Sequence, residues 1–311
     1  LAEEARRPFD LTRGPLLRAL HVQTEAQASV LAIAAHHVIT DGWSQELMDS
    51  ELLALLSEQE GALEPLPIEY VDYAAWQRAA EESPAALQHW TSALAAPRPV
   101  LELPTTRVRP AMAPTEGSTS RLPLPAELIE ELAGVGKKHQ STLFMVLLSA
   151  YAVLLNRHTG QTDFIIGTPV ANREHKDTLK LHGFFANTVA IRIDTSGDPS
   201  FLDVLRRTRE SCVKAFAYQS VPFERLVELL QVERDLSRSP IFQTIFAFED
   251  AESAKRVEGA GPIRIVDRET ISAEVARTDL SLWVSAQANG LLATAEYPTA
   301  LFDAVEIERL L

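Results

Sequence analysis

Apolar positions along the chain change period several times, and those changes mark out its elements. Residues 29–35 (SVLAIAA) form an unbroken apolar run of strand length, which predicts a buried strand. The run stops at the polar turn HHVITDG. Beyond it, WSQELMDSELLALLS (43–57) places Leu47, Leu52, Leu55 and Leu56 mostly on one face of a helix. Between 60 and 114 Pro and Ala become frequent, with a helical island over 70–78. The stretch RPVLELPTTRVRPAMAP (98–114) is predicted to link two lobes, 1–110 and 111–311.

After the linker, STSRLPL (118–124) alternates as a strand does. PAELIEELAGVGKKH (125–139) and STLFMVLLSAYAVLLNRH (141–158) read as helices, the second opened by Ser141 as a cap. DFIIGTPVA (163–171) and NTVAIRID (187–194) read as strands, and SFLDVLRRTRESCVKAF (200–216) and PFERLVELL (222–230) as helices. IFQTIFAFED (241–250), PIRIVDR (262–268), DLSLWVSAQ (279–287) and residues 293–297 read as strands, and a last helix starts near Asp303. Strands and helices interleave without strict alternation. The pattern predicts an α/β (α+β) fold with a mixed sheet flanked by helices in each lobe.

Composition narrows the function. Of 311 residues 46% are hydrophobic, enough for one large core or two smaller ones. The net charge of −14, from 43 acidic and 29 basic residues, repels phosphate backbones, so no nucleic-acid partner is expected. A single cysteine, Cys212, rules out a disulfide framework and a cysteine-based zinc site. No signal peptide is recognisable, and no apolar run approaches the roughly 18 residues a bilayer span needs, which predicts a cytoplasmic protein without membrane contact. The chain opens on LAEEARRPFDLTRGPLL without an initiator Met, as a fragment of a longer protein would.

Candidate chemistry concentrates in HHVITDG, which holds His36, His37, Asp41 and Gly42. Two adjacent histidines at a strand end can turn one ring outward and pack the other inward. A neutral imidazole can accept a proton from an amine or alcohol nucleophile. Asp41 can hold the loop by pairing with an arginine, and Gly42 permits close backbone approach. A loop histidine beside a helix-capping aspartate would give the same His-x-x-x-Asp spacing. Metal binding is disfavoured because neighbouring side chains on a strand point opposite ways.

HHVITDGWS resembles the signature of the condensation domains of nonribosomal peptide synthetases, and further segments follow that family's order. YVDYAAWQ (70–77) is similar to its YxDYAxWQ motif, and IGTPVANR (166–173) stands as the family usually has it. HGFFANTVAIR (182–192) resembles GFFVNTLVLR, RDLSRSPIFQ (234–243) resembles RDxSRxPLFQ, and TDLSL (278–282) resembles FDLTL. The family's two earlier motifs, SxAQxRLW-like and RHExLR-like, have no counterpart here. By that comparison part of the first lobe lies outside this chain.

The resemblance implies two chloramphenicol-acetyltransferase-like lobes in a V, the first incomplete, with a channel between them. It implies peptide-bond formation between a donor thioester and an acceptor aminoacyl thioester, each delivered on phosphopantetheine by a peptidyl carrier domain, with an adenylation domain adjacent and no cofactor bound by the domain itself. His37 is the expected catalytic residue, either as general base or as the hydrogen-bond acceptor that orients the amine, and Gly42 the expected oxyanion donor. His36, Asp41 and Arg173 are expected to be structural, Asp41 pairing with Arg173 or with an arginine of the preceding segment. Trp43, Asn172 and Asn187 are expected along the substrate channel. The motifs look most like the subtype joining an L-donor to an L-acceptor. An epimerisation domain, or a non-catalytic recruitment module of the same fold, is the alternative. A heterocyclisation domain is excluded, since it carries DxxxxD, and a coenzyme A-dependent alcohol acyltransferase would carry DFGWG.

Overall fold

The computed structural model describes residues 1–24, 29–56, 63, 65–233, 235–249, 274–287 and 290–311. They divide into two units. The first comprises Leu1–Ala80 and Ala171–Ala186; the second comprises Glu81–Val170, Asn187–Ala251 and Glu274–Leu311.

In the first unit, α1 (Ala2–Arg6) precedes the antiparallel pair β1 (Leu17–Gln23) and β2 (Ser29–Ala35), with Leu17 opposite Ala35 and Gln23 opposite Ser29. SVLAIAA is thus a strand, but it is not buried: Val30 and Leu31 are 38% and 42% exposed. Among the described residues its sheet has two strands, not the mixed sheet expected there. A two-stranded ribbon leaves both faces of an apolar run partly open. A 3₁₀ turn (His37–Ile39) leads into α2 (Gly42–Leu56), and α3 (Tyr70–Ala79) opens with a capping box between Glu69 and Asp72.

The second unit holds α4 (Pro84–Ala93), β3 (Gly117–Pro125), α5 (Ala126–Lys138), α6 (Leu143–Thr159), β4 (Asp163–Val170), β5 (Asn187–Asp194), α7 (Phe201–Ala217), α8 (Phe223–Leu229), β6 (Thr244–Glu249), β7 (Leu280–Gln287), β8 (Gly290–Pro298) and α9 (Ala304–Leu310). Its six strands form one mixed sheet in the order β3-β8-β7-β6-β4-β5. β6 runs parallel to both β4 and β7, and the other pairings are antiparallel. On α7, Val204, Leu205, Thr208, Cys212 and Ala215 recur at helical spacing and are all buried. Burial pushes the Cys212 thiol up to about 12. The helix α6 is capped by Thr142, whose Oγ1 accepts from Met145 N at 3.3 Å, and not by Ser141. The expected strand 262–268 lies outside the described residues.

Residues 81–110 differ most from expectation. Their composition predicts the end of the first lobe and then a linker, yet they belong to the second unit. Apolar burial is the reason: Trp90, Leu94, Leu101 and Leu103 sit in the second unit's core. Trp90 also donates its indole N–H to Tyr218 O at 3.0 Å. The stretch 98–109 is strapped down by Leu101 N to Gln243 Oε1 at 2.8 Å, Thr106 N to Leu301 O at 3.0 Å, and the paired guanidinium and carboxylate of Arg109 and Asp279. The second departure is the return of Ala171–Ala186 to the first unit, which brings Arg173 to the HHVITDG turn.

Candidate functional site

The site builds from the strand end outward. β2 stops at Ala35 and the backbone turns through His36, whose Nδ1 accepts Val38 N–H at 3.1 Å and caps the 3₁₀ turn. His36 therefore holds its proton on Nε2 and serves the turn. His37 has the opposite tautomer. Its Nδ1 lies 2.5 Å from Thr40 O. A carbonyl oxygen only accepts, so Nδ1 carries the hydrogen and the neutral ring keeps Nε2 as a free acceptor. The His37 side chain is exposed, and its ring meets Phe184 edge to face, with centroids 5.2 Å apart and planes at 79°.

Asp41 lies immediately before α2 and is 1% exposed. Its Oδ1 accepts Ser44 N–H at 2.8 Å, the bond an N-cap residue makes three positions on. The same oxygen takes Arg173 NH2 at 3.1 Å, while Oδ2 takes the N–H groups of Phe185 at 2.9 Å and Ala186 at 3.2 Å. Burial opposes the charge on Asp41. The Ser44 and Phe185 N–H bonds and the Arg173 charge outweigh it and hold the carboxyl below the usual carboxylate range.

Arg173 is buried and satisfies four groups with two nitrogens. NH1 donates to Leu181 O at 2.8 Å and to Thr178 O; NH2 donates to Asp41 and to Ser44 Oγ at 2.6 Å. The guanidinium carbon stands 4.1 Å from the Phe185 ring centroid. Burial lowers the affinity of Arg173 for its proton and Asp41 opposes that pull, so the pair stays ionic. Asp41 and Arg173 thus fasten the HHVITDG turn to the 178–186 loop.

The sequence alone assigns no role to Ser44, Phe184 or Tyr70. Ser44 is fully buried and its Oγ donates to Gly183 O at 2.9 Å while accepting Gly183 N at 3.1 Å. Tyr70 donates its hydroxyl to Phe184 O at 2.7 Å. A Cβ on Gly183 would fall 2.1 Å from the Tyr70 ring, so glycine is required there by close approach. These partners are more than a hundred residues apart in the chain, and no local periodicity signals them. Only the Asp-x-x-Ser spacing of a helix cap is visible beforehand.

The other expected residues separate. Trp43 donates its indole N–H to Leu179 O at 2.9 Å, and Asn172, at φ +51°, donates to Phe185 O at 3.1 Å. Both join the same cluster. Gly42 opens α2 without a positive φ, and among the described residues a Cβ there would meet nothing within 4 Å. Asn187 belongs to the second unit. There it donates to Gln219 O and Val221 O, each at 2.7 Å, and accepts Phe223 N at 3.0 Å. Its amide ties the start of β5 to the α7–α8 connection. Among the described residues no group of three or more His, Cys, Asp or Glu side chains is arranged to hold a metal ion.

A family model described as Condensation domain matches residues 1–311. Phosphinothricin tripeptide synthetase PhsC of Streptomyces viridochromogenes is 40% identical over 316 residues, which cover 99% of this chain and 29% of that protein. Malpinin synthetase of Mortierella alpina is 37% identical over 314 residues, covering 99% of this chain and 4% of that protein. Among solved structures, the X-domain from teicoplanin biosynthesis is similar with a TM-score of 0.87 at 26% identity, over 99% of this chain and 72% of that one. The condensation domain from Monacolin K polyketide synthase MokA gives 0.83 at 25%, over 98% and 72%. This chain belongs to the condensation-domain family of nonribosomal peptide synthetases and has its chloramphenicol-acetyltransferase-like fold. It spans a small part of the length of the curated relatives it matches.

Proposed function

We propose that the chain forms peptide bonds between a donor acyl or peptidyl thioester and an acceptor aminoacyl thioester, and joins an L-donor to an L-acceptor. The acceptor amine nitrogen attacks the donor thioester carbon, the carbon–sulfur bond breaks, and the nitrogen's proton passes to the departing thiolate. Both substrates arrive on phosphopantetheine arms of peptidyl carrier domains, an adenylation domain lies adjacent, and the reaction, which takes place in the cytoplasm, consumes no cofactor of this domain.

The observation that carries the reading is the bond from His37 Nδ1 to Thr40 O, which leaves Nε2 of an exposed ring as acceptor. An α-amino group titrates near 8, so a fair fraction is already neutral at pH 7. His37 therefore needs to orient the amine and take its proton late, more than to act as a strong base. Gly42 supports the reading from the other side. Neither its φ nor any neighbour among the described residues demands glycine, and a side chain would only fill open space beside the turn. Its N–H is one of the first-turn donors that a helix leaves free, and it is assigned to the tetrahedral oxyanion.

His37→Ala tests the assignment, with the natural protein at full length and both carriers loaded. Peptide formation should fall by roughly 10²–10⁴ while the melting midpoint stays put, because the ring is exposed. Wild-type turnover in that variant would remove His37 from the mechanism.

A further inference from the structure

Residues 183–186 form a loop in which nearly every backbone group is already fixed. Gly183 is held at both ends by Ser44 Oγ, Phe184 O by Tyr70, and the Phe185 and Ala186 N–H groups by Asp41. The two phenylalanines then part company. Phe185 is 2% exposed and packs against Tyr73 at 4.5 Å between centroids, under the Arg173 guanidinium. Phe184 is 40% exposed and meets His37. Core packing accounts for Phe185 and leaves the Phe184 ring unexplained.

Among the described residues the His37 ring has one polar anchor, the bond to Thr40 O. A single bond at Nδ1 fixes that atom but lets the ring plane tilt about it, since χ2 of a histidine is soft. The Phe184 contact supplies the second point, and the near-perpendicular planes are the favoured geometry for aromatic pairs. We propose that Phe184 is a positioning residue: its ring holds the His37 imidazole plane so that Nε2 keeps one direction. The proposal rests on the reading of His37 as proton acceptor. It adds to that reading the residue that aims the acceptor.

The test compares Phe184→Ala, Phe184→Leu and Phe184→Tyr in the natural protein at full length. Misaiming a reacting atom by about an ångström costs up to about a hundredfold, so kcat of the Ala variant should fall roughly ten- to a hundredfold. KM for each carrier-bound substrate should stay within about twofold, since Phe184 aims the acceptor and does not bind substrate. The melting midpoint should fall by only a few degrees in the Ala variant, because the ring is partly exposed. Phe184→Tyr should restore kcat, and Phe184→Leu, of similar bulk but with no ring, should not. A second readout does not depend on turnover. In the full chain carrying isotope-labelled histidine, with His37 assigned through His37→Gln, the wild-type ring should relax as one fixed orientation and the Phe184→Ala ring as a mobile one, with the proton on Nδ1 in both. Wild-type kcat in the Ala variant, an equally rigid His37 ring in that variant, or a loss that follows the melting midpoint and is not restored by Tyr would each overturn the proposal. If wild type itself formed no peptide bond, the proposed function would fall, and the histidine signals would still decide whether Phe184 orients the ring.

Discussion

Arg173 and Asp41 stand 132 positions apart in sequence and meet at 3.1 Å, both nearly sealed from solvent. The pair joins two loops that sequence order keeps separate, and Asp41 also takes main-chain N–H groups from the loop that Arg173 braces. Asp41→Asn should therefore destabilise the first unit by about 3–5 kcal/mol, the cost of leaving a buried guanidinium without its counter-ion. Denaturant melts would read it, and an Asn variant as stable as wild type but inactive would make Asp41 a direct participant in catalysis.

The same carboxylate predicts an acid dependence. Its folded pKa lies below its unfolded one, so its stabilisation is complete above about pH 4. That stabilisation is lost as pH falls through the depressed folded value. The stability difference between wild type and Asp41→Asn should be flat near neutrality and shrink at acid pH. A difference that instead grew on acidification would contradict the depressed pKa.

Two glycines of the site should respond in opposite ways. Gly183→Ala drives a methyl into the Tyr70 ring and should cost about 1–3 kcal/mol by overpacking. Gly42→Ala meets no neighbour and sits in a helix, so stability should hold or rise by about 0.4–1 kcal/mol. Turnover should nonetheless fall roughly tenfold or more, because the methyl occupies the open space beside the turn. Unchanged turnover would take Gly42 out of the site.

Asn187 should behave as a structural residue. Asn187→Ala removes two donated bonds and one accepted bond to the main chain, and should cost about 1–3 kcal/mol. KM for both substrates should stay at its wild-type value. A raised KM at unaltered stability would return Asn187 to the substrate channel.

Local pattern makes much of the second unit legible. β4, β5, α7 and α8 all form within a residue or two of where periodicity and caps place them. Pro and Ala frequency hides α4 behind the look of a linker, although Ser83 and Pro84 are a helix start and Trp90 an anchor. The strapping of Leu101 and Thr106 depends on Gln243 and Leu301, far along the chain, and no local window of sequence contains both partners of either bond. At the site, the histidines, Asp41 and Gly42 stand out in one motif. The tautomer of His37 follows from a bond to Thr40 O that no residue type announces, and the saturation of Ser44 and the division of labour between Phe184 and Phe185 arise only when 171–186 returns to the first unit.

Cys212 has a practical corollary. It is the chain's only sulfhydryl, lies fully buried on the inward face of α7, and stays protonated at neutral pH. Thiolate-seeking reagents should ignore these 311 residues when folded, so a cysteine introduced at an exposed position among them becomes the one attachment point within this stretch for a fluorophore or spin label. Conversely, alkylation of the untouched wild-type chain clocks the opening of α7 from the sheet, a built-in gauge of how often the second unit breathes.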